Sequence, residues 1–138
     1  MGYIIGFDYG LKNIGVSIGQ TITSTASEHP SLKARDGIPD WQVLENLIKQ
    51  WQPDCAVVGL PLNMDGTESE LCVRARKFAN RLHGRFGITT QLMDERLSTQ
   101  EAKQEAAERG HKGDYGQNPI DAIAARLILE SWLNQHTK

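Results

Sequence analysis

Residues 3–8 have the sequence YIIGFD, and Tyr9 and Gly10 follow them. The segment is short, β-branched and aromatic, and it breaks at a Tyr-Gly pair, which is typical of a buried strand that ends in a turn. Residues 14–19 and 21–27 come after brief connections. Because parallel pairing needs a longer crossover, these two segments are predicted to pair as antiparallel hairpins. The fold is therefore predicted to begin with three antiparallel strands.

The rest of the chain alternates helical and strand patterns. Asp40 is predicted to cap a helix that Pro53 ends, and a capping box at Ser98 begins another helix. The later predicted helices cover residues 68–86, 98–109 and 118 onwards, and the later predicted strands cover residues 55–59 and 88–93. The order β-β-β-α-β-α-β-α-α predicts an α/β fold in which helices cover a mixed sheet.

Length and charge limit the class of protein. The chain has 138 residues, 15 Lys and Arg against 17 Asp and Glu, and a net charge of −2, which predicts one domain over residues 1–138. No apolar run reaches the roughly 20 residues that a bilayer requires, and Asp8 interrupts the N-terminal apolar segment, so we expect a cytoplasmic protein with no membrane partner. Cys55 and Cys72 are expected to be reduced thiols. Binding to nucleic acid would require a local concentration of cations.

Four acidic residues follow elements that end at one edge of the predicted sheet. Asp8 ends the first strand, Asp94 and Glu95 follow the fifth, and Asp121 lies in the first turn of the last helix. Ligands of α/β sheets collect beyond the carboxyl ends of parallel strands. Mg²⁺ and Mn²⁺ prefer carboxylate oxygens, and a pair of such ions can hydrolyse a phosphodiester. The acids therefore predict a divalent-metal site for cleavage of a nucleic-acid strand.

Each acid also has a purely structural explanation. Asp8 could accept backbone hydrogen bonds in a turn, and Asp121 could favour the positive end of the helix dipole. Glu95 and Arg96 could form an exposed ion pair worth about 0–1 kcal/mol. Their joint placement favours the metal site, because an apolar strand end is an expensive location for unpaired anions.

The helix over residues 68–86 concentrates positive charge. No acidic residue occurs between positions 71 and 93, whereas five basic ones do, namely Arg74, Arg76, Lys77, Arg81 and Arg85. Like charges at helical spacing repel each other, so an anion is expected to compensate them, and a phosphate backbone fits. The alternative is surface charge that other parts of the fold balance. The predicted loop over residues 110–118 either closes over a bound strand or is an ordinary connection.

Four ordered motifs carry a resemblance to a known family. They are GFDYG at residues 6–10 with Gly15-Val16, VGLPLNMDGT at residues 58–67, DERLST at residues 94–99 and IDAIAA at residues 120–125. The set resembles the YqgF family, also called RuvX, of pre-16S rRNA nucleases and Holliday-junction-resolvase-like proteins. The resemblance covers residues 6–125, which is almost the whole chain.

The resemblance implies an RNase H-like (RuvC-like) domain with a mixed five-stranded sheet in the order 3-2-1-4-5. It implies that Asp8, Glu95 and Asp121 bind Mg²⁺ or Mn²⁺, with Asp94 as an alternative to Glu95. The implied activity is that of an endonuclease that processes the 5′ end of pre-16S rRNA during ribosome biogenesis, with ribosomal precursor particles as partners and a monomer or homodimer as the active form. The expected contacts to nucleic acid are Lys12, Arg74, Lys77, Arg81, Arg85 and Arg96.

Two positions depart from the family pattern. Junction-resolving relatives carry a glutamate at the end of the fourth strand, where this chain has Gly59-Leu60-Pro61, so Glu95 would have to substitute. Lys12-Asn13 replaces the commoner Lys-Arg pair. The alternative functions are a Holliday junction resolvase in DNA recombination and repair, or a nucleic-acid-binding module without turnover. Kinship to sugar or acetate kinases is disfavoured, because such enzymes enclose ATP with a second lobe.

Overall fold

The computed structural model describes residues 2–60, 65–94 and 119–136. The described strands are β1 (Tyr3–Asp8), β2 (Asn13–Gln20), β3 (Thr25–Arg35), β4 (Ile38–Pro39), β5 (Cys55–Leu60) and β6 (Thr89–Asp94), and the described helices are α1 (Trp41–Trp51), α2 (Glu70–Phe86) and α3 (Pro119–His136). The helix predicted over residues 98–109 and the loop predicted over residues 110–118 lie outside this part of the chain. None of the described helices is long and apolar enough to cross a membrane.

The strands form one mixed sheet in the order β4-β3-β2-β1-β5-β6. β1 pairs antiparallel with β2 and parallel with β5, and β5 pairs parallel with β6. The predicted order 3-2-1-4-5 is confirmed, and the two-residue strand β4 extends the sheet beyond β3. This order places β1 in the interior of the sheet, where strands on both sides fix its position.

The predicted bounds of the third strand, residues 21–27, are wrong. Residues 21–24 form a turn, and β3 continues to Arg35, where Asp36 and Gly37 connect it to β4. Both turn residues have positive φ, 50° and 81°, which is the conformation that two-residue hairpins require. The register between β2 and β3 shifts between Ile14 and Val16, close to Pro30. Since proline cannot donate a ladder hydrogen bond, Pro30 breaks the strand pattern in the sequence but fits at an irregularity.

Local signals place the starts of α1 and α3 correctly and the start of α2 within two residues. Asp40 caps α1 by accepting from the backbone N–H groups of Gln42 and Val43 at 3.0 and 3.4 Å. α2 begins at Glu70, two residues later than predicted, because the Ser69 hydroxyl caps it. Pro119 is the first residue of α3, as its lack of a backbone N–H predicts.

The two faces of the sheet are covered by different helices. Ile5 and Phe7 point to the α1 and α2 side, where the Phe7 ring meets Phe78 of α2 edge to face at 5.3 Å. Ile4 points to the other side and packs in a cluster with Leu129 of α3. Because successive side chains of a strand alternate between faces, Asp8 shares the α3 face with Ile4 and Gly6.

α3 lies very close to the backbones of β1 and β2. The Ser17 hydroxyl is fully buried and donates a 2.7 Å hydrogen bond to the Ala125 carbonyl of α3. A Cβ on Gly6 would lie 3.1 Å from Leu129 Cβ, and one on Gly15 would lie 2.1 Å from the Asp121 carbonyl oxygen. Glycine at these positions therefore sets the distance between the helix and the sheet.

Gly15→Ala is expected to lower the free energy of unfolding by about 1–3 kcal/mol, because the added methyl group would collide with the α3 backbone. Gly84→Ala is the matched control. Its new Cβ meets nothing within 4 Å on α2, so it should raise stability by about 0.5–1 kcal/mol through helix propensity. Urea unfolding of both variants measures the difference, and a Gly15→Ala variant as stable as the unsubstituted protein would contradict the described contact.

Candidate active site

Asp8 is the last residue of the central strand. It lies opposite Gly15 of β2 and Gly59 of β5 in the two ladders. Neither neighbour carries a side chain, so the space beside Asp8 on the α3 face is bounded by backbone and by α3. The partly buried carboxylate stands at the carboxyl end of β1, which is the edge where α/β sheets bind ligands.

Asp121 approaches Asp8 from α3. Its Cβ is 3.2 Å from the position that a Cβ on Gly15 would occupy, and Gly15 is the residue that pairs with Asp8. Burial, with the negative charge of Asp8 as the second cause, raises the pKa of Asp121 to about 6. The structure therefore brings together two acids that are separated by more than a hundred residues in the sequence.

The direction of this pKa shift distinguishes between the two explanations for Asp121, which are stabilisation of a helix N-terminus and membership of a metal site. An acid that merely stabilises a helix N-terminus is favoured in its charged form by the dipole. Asp121 has the opposite behaviour, because burial and the charge of Asp8 disfavour its ionised form. A cation between the two carboxylates would remove this penalty, and the oxygen donors suit a hard divalent ion such as Mg²⁺.

The third predicted acid is not among the described residues. Residues 2–60, 65–94 and 119–136 contain no group of three His, Cys, Asp or Glu side chains that could hold a metal ion. Glu95 lies just beyond the described end of β6, so its place in the site stays a prediction. β6 is separated from β1 by β5, which puts the two strands about 10 Å apart.

Asp94 is the alternative to Glu95, and strand alternation argues against it. Met93 packs against the cluster that contains Ile4, on the α3 face. Asp94 lies opposite Leu60 in the parallel ladder, and Leu60 belongs to the core on the α2 face. Asp94 therefore points to the opposite face from Asp8, which favours Glu95 as the third ligand.

Part of the basic character of α2 is compensated within the protein. Arg74 donates to the Asp36 carboxylate at 3.0 Å and to the Asp36 carbonyl at 3.1 Å, and Arg76 pairs with Glu68. The Arg85 guanidinium lies 4.3 Å from the centre of the Trp41 ring. The expectation that an external anion compensates the whole row is wrong for Arg74 and Arg76, whose acidic partners precede the helix in the chain.

Lys77 and Arg81 differ from the other cations of α2. Within the part of the chain that the structure describes, neither forms an ion pair, and both are exposed. Together with Arg74 they line an open pocket of about 210 Å³, whose other lining residues are Tyr9, Asp36, Gly37 and Ile38. We call this the α2 pocket. Its cations are available to a ligand.

The sequence patterns did not predict the turn that forms one wall of the α2 pocket. The Tyr9 hydroxyl donates to the Gly37 carbonyl at 2.8 Å, and a Cβ on Gly37 would lie 2.0 Å from that hydroxyl. The dipeptide Asp36-Gly37 is itself a strong signal for a two-residue hairpin and could have revealed the turn. The role of Tyr9 has no such local signal, because it depends on two distant segments meeting.

Lys12, Arg96 and the two cysteines are the other residues for which the sequence made a prediction. Lys12 is exposed in the connection after Asp8, and Arg96 lies outside the described residues. Cys55 and Cys72 are free and buried, as expected of reduced thiols. Burial raises the pKa of the Cys55 thiol to about 11, with the charge of Asp54 as a second cause, so this cysteine is not a nucleophile at neutral pH.

Comparison with known sequences identifies close relatives along nearly the whole chain. A family model described as RuvX, Holliday junction resolvase, matches residues 2–135. A protein of Saccharophagus degradans named "Putative pre-16S rRNA nuclease" is 58% identical over 133 residues, which cover 96% of this chain and 94% of the relative. A protein of the same name from Pseudomonas fluorescens strain SBW25 is 59% identical and covers 97% of this chain and 93% of its own length.

Solved structures with the same fold are more distant in sequence. Thermus thermophilus RuvC in complex with a Holliday junction substrate superimposes with a TM-score of 0.56 at 14% identity, over 99% of this chain and 98% of RuvC. The Fowlpox virus resolvase in complex with Holliday junction DNA gives a TM-score of 0.57 at 15% identity, over 99% of both chains. These likenesses confirm the predicted RuvC-like fold.

Asp121→Asn is expected to stabilise the protein at pH 8 and to have little effect at pH 4. The pKa of Asp121 is higher in the folded than in the unfolded protein, so stability is lost as pH rises through about 6 and Asp121 ionises. We expect a gain of about 1–2 kcal/mol at pH 8, after allowance for solvent screening. Thermal unfolding between pH 4 and pH 8 measures it, and a variant with no pH-dependent gain would contradict the buried pair.

Mg²⁺ provides a second test of the same two acids. An ion that binds only the folded state raises the unfolding temperature of the unsubstituted protein. Asp8→Asn and Asp121→Asn should lose most of this response, because each removes one of the charged ligands. Glu45→Gln changes an exposed carboxylate on α1 and is the matched control that should keep it. Equal responses in all variants would place the ion elsewhere.

Proposed function

Because the chain belongs to the RuvX family, we propose that it is a metal-dependent endonuclease that acts on structured nucleic acid, with the 5′ end of pre-16S rRNA as its substrate. The observation that carries the proposal is the meeting of Asp8 and Asp121 at the carboxyl end of the central strand. The names of the relatives from S. degradans and P. fluorescens support the choice of pre-16S rRNA. The corresponding site of action is the cytoplasm, on ribosomal precursor particles.

In this proposal the carboxylates of Asp8, Asp121 and Glu95 would hold the divalent ions, with Asp8 as the central ligand. Mg²⁺ or Mn²⁺ at this site would supply a nucleophilic water and stabilise the leaving oxygen of the phosphodiester. Asp121 adds a pH dependence of its own. Since its pKa is about 6 without an ion, Asp121 is largely protonated below pH 6, and at such pH a bound cation would have to displace this proton.

The cationic side chains supply the affinity for the phosphate backbone. We assign this role to Lys12, Arg74, Lys77, Arg81, Arg85 and Arg96. The net charge of the chain is −2, so binding depends on these local groups rather than on the overall field. Arg85 and Arg74 are already held by Trp41 and Asp36, which fixes their orientation before a ligand arrives.

Cleavage of a DNA four-way junction is the second candidate. The family description, Holliday junction resolvase, and the fold shared with RuvC favour it. Gly59, opposite Asp8, marks the end of the strand where junction-resolving relatives carry a glutamate, so this chain lacks one of their acids there. Symmetrical cleavage of a junction would also favour a homodimer, whereas processing of a single RNA strand requires only a monomer.

Incubation of the purified protein with a 5′-extended precursor rRNA and with a four-way junction, side by side, tests the proposal. We expect cleavage of the RNA with Mg²⁺ or Mn²⁺ and none with chelator. Asp8→Asn should reduce the rate at least about a hundredfold, because the bound ions contribute several kcal/mol to catalysis. Glu45→Gln is the control for loss of a carboxylate far from the site and should cleave normally.

The outcomes separate the candidates. Cleavage of the junction alone would replace the RNA substrate with DNA. RNA binding at full strength by both the unsubstituted protein and Asp8→Asn, without cleavage in any metal, would show a binding module that has no turnover. Undiminished cleavage by Asp8→Asn would refute the assigned site.

A further inference from the structure

The α2 pocket and the two carboxylates lie at the same end of β1 but on opposite faces of the sheet. Asp8 and Tyr9 are consecutive residues, so their Cα atoms are about 3.8 Å apart. Asp8 faces Asp121 of α3, whereas the Tyr9 ring packs against Phe78 of α2 at 5.2 Å. The two sites are therefore back to back across the carboxyl end of one strand.

The chemistry of the α2 pocket suits a phosphate group. Its three cations, Arg74, Lys77 and Arg81, follow each other at spacings of three and four residues, so they share one face of α2. Among the described residues that line the pocket, Asp36 is the only acid, and it is paired with Arg74. Two positive charges are left over, on Lys77 and Arg81. The volume of about 210 Å³ is several times the roughly 30 Å³ that one water molecule occupies in the liquid.

The walls of the α2 pocket are held in place before any ligand binds. The Asp36-Gly37 turn is fixed by the Tyr9 hydroxyl and by a 2.8 Å hydrogen bond from the Gly37 N–H to the Leu11 carbonyl. The opposite wall is α2, whose buried residues Ala75 and Phe78 belong to the core. A preorganised pocket binds an anion without a further cost of ordering the walls.

We propose that the α2 pocket binds a backbone phosphate of the strand whose cleaved bond lies at Asp8 and Asp121, a few nucleotides away from that bond. This inference rests on the proposed nuclease function and extends it to the class of substrate. A strand that reaches both the α2 pocket and the two carboxylates has to pass around the carboxyl end of β1, from one face of the sheet to the other. It has to make this turn over a distance equal to the thickness of the sheet. Duplex nucleic acid is too stiff for such a turn, since the persistence length of duplex DNA is about 150 base pairs. The protein therefore selects a strand with unpaired nucleotides beside the cleaved bond.

Binding measurements in the Asp8→Asn background, in which cleavage is suppressed, test the pocket. The probes are a labelled 12-nucleotide single-stranded RNA, the same RNA in a fully paired duplex, and a dinucleotide. The double variant Lys77→Gln and Arg81→Gln is compared with Arg76→Gln, which removes a charge of the same helix that faces Glu68 instead of the pocket. Both residues of the double variant are exposed, so the fold should be unaffected, and circular dichroism checks this.

The expected result is that the double variant binds the single-stranded RNA with a weaker dependence on salt. For the single-stranded RNA, the slope of log K against log salt is negative, and its magnitude should decrease by about 0.7 for each phosphate contact that the double variant loses. Arg76→Gln should leave the slope unchanged, and the double variant should bind the duplex as the Asp8→Asn parent does. The dinucleotide carries one phosphate, so the double variant should bind it more weakly. An unchanged slope for the single strand, or an equal loss for the duplex, would overturn the inference.

Titration with inorganic phosphate distinguishes a free anion from a strand. If the double variant loses binding of inorganic phosphate but keeps the full salt slope for the RNA, the α2 pocket serves a free anion and the inference is wrong. Cleavage of precursor rRNA by the unsubstituted protein is measured separately. Cleavage with an unchanged slope refutes the pocket alone, whereas a reduced slope without cleavage refutes the nuclease and keeps the pocket as a strand-binding site.

Discussion

The close packing of α3 on the glycines of β1 and β2 is the constraint on which the candidate site depends. Gly15 allows the Asp121 backbone to reach the sheet directly above the ladder position of Asp8, and Ser17 fixes the next turn of the helix by a buried hydrogen bond. A larger side chain on β2 would lift the helix and separate the two acids. The hydrophobic packing of Leu129 and Leu133 further along α3 stabilises the same approach. The geometry of the acids is thus a property of the core.

This packing has an electrostatic cost. Burial and the charge of Asp8 both disfavour the ionised form of Asp121, and nothing in such an arrangement improves folding. Proteins tolerate destabilised ionisable groups where the groups have a chemical task. A cation between the carboxylates would remove this cost. The same two acids would then link the stability of the protein, the occupancy of the ion and the pH of the solution.

The sequence predicts the elements of this fold better than their long-range contacts. Periodicity and caps located α1, α2 and α3, because these signals are local, whereas the order of the strands in the sheet was implied by the family resemblance. β3 was placed wrongly, since Pro30 and its alternating polar residues hide a strand that its pairing with β2 stabilises. The meeting of Asp8 and Asp121 followed from the rule for strand ends and from the family motifs. The hydrogen bond from Tyr9 to Gly37 could not be predicted, because two segments 28 residues apart create it.

The alternation of side chains along β1 limits how the length of this strand can change during evolution. Asp8 and Tyr9 serve different faces only because side chains alternate with a period of two. A single-residue insertion between Phe7 and Asp8 would send the acid towards α2 and the aromatic ring towards α3, and would damage both surfaces at once. The length of this short segment is therefore coupled to two separate tasks, and natural variation in loop length has to accumulate elsewhere in the chain.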